Sequence, residues 1–280
     1  MKILFCGDLV GRAGREVVLE HLPGLRTELS LDFVVVNAEN AAHGFGLTGK
    51  ICKELFEVGA DAITTGNHVW DHREIIPFID ADPRVLRPLN YTDGTPGRGA
   101  SVIKARDGRS VLVVNVMCRL FMELLDDPFA AVDRVLDSHP LGKAVDAVLI
   151  DVHGEATSEK AALGHVCDGR ASLVVGTHTH IPTADAQVLP GGTAYQTDAG
   201  MCGDYDSVIG MQKETAIAKF RTKVVGERLA PARGPASLCA VLVETDDSTG
   251  LARNVAPLIL GGRLHTAWPG FVPARDTAAQ

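Results

Sequence analysis

Five short apolar runs in this chain each stop at a residue able to bind a metal, and this pattern restricts the fold more than any other feature. Ile3 to Cys6 leads through Gly7 into Asp8, and Phe33 to Val36 leads through Asn37 and Ala38 into Glu39 and Asn40. Ala62 to Thr64 runs on to Asn67 and His68, Val148 to Val152 ends at His153, and Leu173 to Thr177 ends at His178-Thr179-His180. Runs this short and this uniformly apolar suit strands covered on both faces. Helical stretches separate them, so βαβ crossovers and an α/β fold follow, with a mixed central sandwich flanked by helices. In such folds the carboxyl ends of parallel strands form the ligand crevice, which would bring the five polar endings to one rim.

The pattern predicts strands at 2–6, 32–36, 60–64, 101–105, 110–116, 147–152, 172–175, 187–189 and 194–196, and a late hairpin of 215–221 with 238–244. Helices are expected at 14–22, closed by a turn at Pro23-Gly24, and at 48–58, where Thr48 can cap the first turn. Further helices are expected at 71–79, 128–136 and 158–167. One domain would cover 1–265, leaving 266–280, rich in Pro and Ala, as a loose tail.

Taken singly, the strand-end residues have plain structural readings. An Asp after a strand is commonly a turn former, Asn67 after Gly66 suits a turn, and a lone His153 suits a hydrogen-bonded interior position. The His178-x-His180 pair is different, because at period two both imidazoles point to one side of an extended segment. Three imidazoles, two carboxylates and amide oxygens without a thiolate suit first-row transition ions such as Fe, Mn, Co or Zn. Six or seven donors exceed the needs of one ion, so two ions are expected, with Glu39 as the bridge.

Composition narrows the function classes. The 280 residues are 46% hydrophobic and 22% charged, as in an ordinary globular core, with a formal charge of -8. That balance argues against an extended nucleic-acid surface, but not against one nucleotide bound at a time. No apolar run approaches a membrane span, and the first residues do not read as a secretory signal. The six cysteines (6, 52, 118, 167, 202, 239) are far apart and suit buried thiols. Cytoplasmic localisation and a homo-oligomer are the corresponding expectations. A dinucleotide-binding Rossmann turn is excluded, since Asp8 stands where pyrophosphate would lie and the third glycine is missing.

In order, Gly7-Asp8, Glu39-Asn40, Gly66-Asn67-His68, His153 and Gly176-Thr177-His178-Thr179-His180 resemble the blocks of the calcineurin-like metallophosphoesterases. The wider strings resemble one bacterial branch, the YmdB-like phosphodiesterases. These are GDLVGRAGR at 7–15, NAENAA at 37–42 with GFG at 44–46, GNHVWD at 66–71, EATSEK at 155–160, PGGTAYQTD at 190–198 and YDSVIGM at 205–211. The similarity spans about residues 1–260. It implies a four-layered α/β sandwich, a dinuclear metal centre and hydrolysis of phosphodiesters, with 2',3'-cyclic nucleotides as the substrate class. Against the wider superfamily two blocks depart: Leu9 and Val10 follow Asp8 where Asp-x-His is usual, and Glu39-Asn40 replaces an Asp-rich segment. The YmdB-like branch shares both departures, and the resemblance implies that Asn40 completes the first metal's shell.

On this reading one ion takes Asp8, Glu39, Asn40 and His180, and the other Glu39, Asn67, His153 and His178. Two ions about 3.5–4 Å apart would activate a bridging hydroxide for in-line attack and offset charge on the phosphoryl oxygens. His68 is the candidate proton donor to the leaving alkoxide, against a rival role of only orienting a phosphate oxygen. Asp71 and His72 read as caps of the next helix and His43 as a solvent-facing loop residue; His21, His139, His165 and His265 read as structural. The 197–210 loop has the polar residues of a rim for substrate or a neighbouring subunit. Two alternatives remain: a phosphomonoesterase on the same core, or a nucleotide sensor with little turnover.

Overall fold

The computed structural model describes residues 1–222 and 228–275. In chain order the strands of the first sheet are β1 (Lys2–Cys6), β2 (Asp8–Leu9), β3 (Phe33–Asn37), β4 (Ala62–Thr64), and later β11 (Met201–Asp204), β12 (Ala236–Thr245) and β13 (Ala252–Leu260). The second sheet holds β5 (Ala100–Lys104), β6 (Ser110–Met117), β7 (Ala147–His153), β8 (Leu173–Thr177), β9 (Gln187–Val188) and β10 (Ala194–Gln196). The first sheet runs in the order β2-β11-β12-β1-β3-β4 with β13 on β12, the second in the order β5-β6-β7-β8-β10-β9. Strands β1, β3 and β4 are mutually parallel, as are β6, β7, β8 and β10.

Alternation along β1 explains the layering. Ile3 and Phe5 face the second sheet, in a cluster with Val35, Val113, Leu149 and Val175. Leu4 and Cys6 face the other way, against helices α1 (Gly11–Glu28), α2 (Gly49–Glu57) and α3 (Ile75–Ala81). On the far side of the second sheet, Val114, Val148, Ile150 and Val174 pack with Val132 and Leu136 of α4 (Pro128–Ser138) and Leu163 of α5 (Thr157–Val166). Three apolar interfaces between four layers leave both faces of the central strands dry, which is why their sequences read as continuous apolar runs. All six cysteines are buried and free, and no helix among the described residues is long and apolar enough to cross a membrane.

Thr48 caps α2 as expected, its Oγ1 accepting the Ile51 N–H at 3.3 Å. Four expectations are corrected. Helix α1 does not stop at Pro23 but runs through it to Glu28. Pro23 lies on the exposed side, while Leu22, Leu25 and Arg26 are buried, so packing outweighs the local cost of proline. The segment 215–221 is no strand; α6 (Lys213–Thr222) occupies it, with only Ala216 buried. The hairpin partner of β12 is β13, whose residues are largely half-buried and so show no clean apolar alternation. The stretch from 266 is not loose as far as it is described. Val272 is buried in the helix-side core beside Trp268 and Phe271, and the Trp268 indole N–H donates to the Pro273 carbonyl at 2.8 Å. Residues 276–280 lie outside the described residues. Within 197–210, finally, β11 joins the sheet between β2 and β12, so part of that loop is core.

Phe5 is fully buried between the sheets. Replacing it with alanine should lower stability by about 3–5 kcal/mol. The expected readout is a lower denaturant midpoint with an unchanged m-value.

Candidate active site

The carboxyl ends of β1, β3, β4, β7 and β8 meet at one edge of the sandwich, and a polar stitch joins the sheets there. Asp151, inside β7, accepts from Thr64 Oγ1 at 2.5 Å and Asn37 Nδ2 at 2.9 Å across the gap, and from Thr177 Oγ1 at 2.6 Å on its own sheet. Burial pushes the Asp151 carboxyl up in pKa, and the charge of His153 with these three donors opposes it.

Two groups of donors come together beyond the stitch. In one, Glu39, His153 and His178 each offer an atom within 4.8 Å of the others; in the second, Asp8, Glu39 and His180 do the same. Glu39 belongs to both. Asn67 Oδ1 lies 2.9 Å from His153 Nε2, and the Asn40 amide nitrogen lies 3.0 Å from Glu39 Oε1 and 3.1 Å from His180 Nε2. A half-turn of that amide brings its oxygen to the same point. All seven predicted donors therefore share one pocket. His43 is exposed, and it and His21, His139, His165 and His265 belong to neither group.

Hydrogen bonding decides which imidazole nitrogen faces the pocket. The single Thr177 hydroxyl proton goes to Asp151, so Thr177 accepts from His153 Nδ1–H at 2.9 Å and the Nε2 lone pair is left inward. The Ile209 carbonyl can only accept, which puts a proton on His180 Nδ1 at 2.8 Å and again frees Nε2. Glu155 Oε2 stands 3.3 Å from His178 Nε2, which turns the Nδ1 lone pair toward His153 Nε2, 3.1 Å away.

The pocket is built for a cation. Asp8 Oδ1 is buried without a hydrogen-bond partner, an uncompensated acceptor beside other acceptors. Burial lifts the Asp8 carboxyl to about 7, against the pull of His180 and His153. For Glu39, burial acts the same way, but His153 outweighs it and holds the carboxyl well below the usual range. His178 is driven down to about 3 by burial and the charge of His153; His153, for all its burial, is raised to about 9 by Glu39. Buried carboxylates and imidazoles crowded this closely offer lone pairs that bound cations would satisfy. Residues and group fit, and the donor set suits a transition ion.

His68 stands just outside the donors. Its backbone N–H donates to Glu39 Oε2 at 3.2 Å, its ring packs edge-on to Phe45 at 4.9 Å, and its Nδ1 lies 3.0 Å from Asp71 Oδ2. Asp71 is thus not the cap expected of it: α3 begins only at Ile75, behind Glu74. His72 likewise turns inward, Nε2 donating to the Ala42 carbonyl at 3.4 Å. Sequence reasoning also passed over Asp151, Thr177 and Lys160, and it offers Asp198 only as a rim residue of the 197–210 loop, where the structure buries it against Lys160. A carboxylate in the middle of the 148–152 run was a usable signal, since a buried charge in a strand needs partners.

A family profile described as YmdB-like protein matches residues 4–258. The chain belongs to the YmdB-like family. It is 48% identical over 260 residues to the 2',3'-cyclic-nucleotide 2'-phosphodiesterase of Bacillus subtilis strain 168, covering 93% of this chain and 97% of the relative. Among solved structures, a hypothetical protein from Thermus thermophilus superposes with a TM-score of 0.87 at 44% identity, over 94% of this chain and 100% of that one. A novel phosphatase from Mycoplasma pneumoniae superposes with a TM-score of 0.86 at 32% identity, over 93% of each chain. The resemblance and the metallophosphoesterase sandwich expected from it therefore hold.

Gly66 tests the pocket directly. A Cβ on it would lie 2.3 Å from both Glu39 Oε2 and His153 Nε2. Gly66→Ala should leave the fold intact by circular dichroism but reduce metal affinity at least about tenfold, measured by elemental analysis after dialysis against a weak chelator.

Proposed function

We propose that this protein is a metal-dependent phosphodiesterase acting on small phosphoesters, 2',3'-cyclic nucleotides above all, in the cytoplasm. The observation that carries the reading is the sharing of Glu39 between two donor groups in a family whose Bacillus subtilis member is a 2',3'-cyclic-nucleotide 2'-phosphodiesterase. One ion would be held by Asp8, Glu39, Asn40 and His180, and a second by Glu39, Asn67, His153 and His178. Fe or Mn is the preferred pair, with Zn or Co as alternatives. Bound there, the ions supply charge neutralisation of the phosphoryl oxygens and acidification of water.

The chain's own residues do the rest. Donating Nδ1–H to Asp71, the His68 imidazolium would keep its Nε2 proton for the oxygen leaving phosphorus. Phe45 restricts the ring to that orientation. Exposed apolar side chains that would suit a nucleobase follow two of the strand ends in the chain. Phe121 (φ 63°) and Leu120 follow β6, whose Met117 is in register with His153, while Ile181 follows His180 directly.

Chelation should abolish turnover, and manganese or iron should restore it. A 2',3'-cyclic nucleotide and bis-p-nitrophenyl phosphate should be cleaved faster than p-nitrophenyl phosphate; fast monoester with negligible diester cleavage would instead mark a phosphomonoesterase. Two bound metals without turnover would mark a sensor. His68→Ala should lower kcat on the cyclic nucleotide by about 10²–10⁴ and affect bis-p-nitrophenyl phosphate, with its good leaving group, far less. An equal loss on both substrates, with metals retained, would remove the proton-donor role.

A further inference from the structure

His178 and His180 both have left-handed backbone, with φ of 93° and 67°, although neither is glycine. Two such residues within three positions persist only where the surroundings hold them. The His178 N–H donates to Asp8 Oδ2 at 3.2 Å and the His180 carbonyl accepts from the Met201 N–H and the Tyr205 hydroxyl, both at 3.1 Å; a further set of contacts converges on the residue between them. Thr179 donates its backbone N–H, at 3.1 Å, and its hydroxyl, at 2.6 Å, to Asp198 Oδ2. The same oxygen accepts Lys160 Nζ at 2.9 Å, and Asp198 Oδ1 accepts the Gly200 N–H at 2.9 Å. Lys160 also donates to the Thr177 carbonyl at 2.7 Å, so one ammonium ties down the chain on both sides of His178.

The pair is enclosed: the side chains of Lys160 and Asp198 are 1% and 0% exposed. Gly176 leaves no slack, since a Cβ there would sit 1.8 Å from the Thr197 carbonyl oxygen and 2.8 Å from Lys160 Cδ. A buried ion pair is seldom the cheapest way to stabilise a core, so its retention here points to orientation. What it orients is unusual in one respect: His178 belongs to one donor group and His180 to the other. Among the donor side chains, by contrast, the Thr177 hydroxyl bonds only the His153 ring.

We infer that Asp198, held by Lys160, is the common anchor of both metal positions, locking the His178-Thr179-His180 turn so that its loss weakens both ions together. Thr179 is then an anchor rather than a spacer between two ligands. The inference rests on the dinuclear reading above. It makes Lys160, Thr179 and Asp198 positioning residues, without contact to substrate.

The test is manganese(II) binding by two-step competition with a chromophoric chelator. Asp198→Asn should weaken both steps in parallel, by about 10- to 100-fold. Because disturbing a buried pair can impair folding, Thr179→Val, at a half-buried position, is the second variant. It should weaken both steps in the same ratio, and Thr179→Ser, which keeps the hydroxyl, should restore them. Thr177→Val, which keeps the carbonyl that Lys160 grips, should weaken one step only. Loss of a single step in Thr179→Val, or binding like the wild type, overturns the inference alone. A wild-type protein that takes up one ion overturns the dinuclear reading and the inference with it.

Discussion

Asp151 ties the two sheets together at the edge where the chemistry is assembled. It lies in an otherwise apolar strand, and its bonds to Asn37 and Thr64 cross from one sheet to the other. Through Thr177 the same carboxylate sets the tautomer of His153. Sheet packing and ligand orientation thus share one buried group, and the strand ends meet in register because hydrogen-bond geometry allows little play. Apolar packing alone would bring the sheets together without fixing which carboxyl end faces which.

The site itself collects groups that a folded chain would otherwise keep apart. Asp8 and Glu39 are fully buried carboxylates in one pocket, pulled in opposite directions: burial raises one to about 7, and His153 holds the other low. An unpartnered oxygen on Asp8 and two left-handed histidines add cost that fold stability does not require. Departures of this kind concentrate where a ligand or a reaction supplies the compensation.

Much of this was readable in the order of residues. Buried strands announce themselves by nearly continuous apolar runs, and β1, β3, β6, β7 and β8 came out within a residue or two. The seven residues gathered at the pocket were legible for the same reason, each following such a run, and the motif strings added family and fold. What escaped has a common cause. β13 is half-buried and α6 nearly all exposed, so neither carries the periodic signal that burial imposes. Pro23 was read as a stop because propensity is local, whereas Leu22, Leu25 and Arg26 are held by packing that spans the chain. The stretch from 266 looked loose because a composition of Pro and Ala says nothing about the groove that receives Val272.

Residue order was sufficient for the layers, the donor types and the family, since these follow from short-range pattern: which residues are apolar, at what period, and what comes after them. Folding in three dimensions was needed to pair Asp71 with His68, Lys160 with Asp198, and Thr177 with both Asp151 and His153. Those partners are 3, 38, 26 and 24 positions apart. Except for Asp71, no local period relates such positions, and a hydrogen bond depends on distances of a few ångströms that only the packed sheets establish.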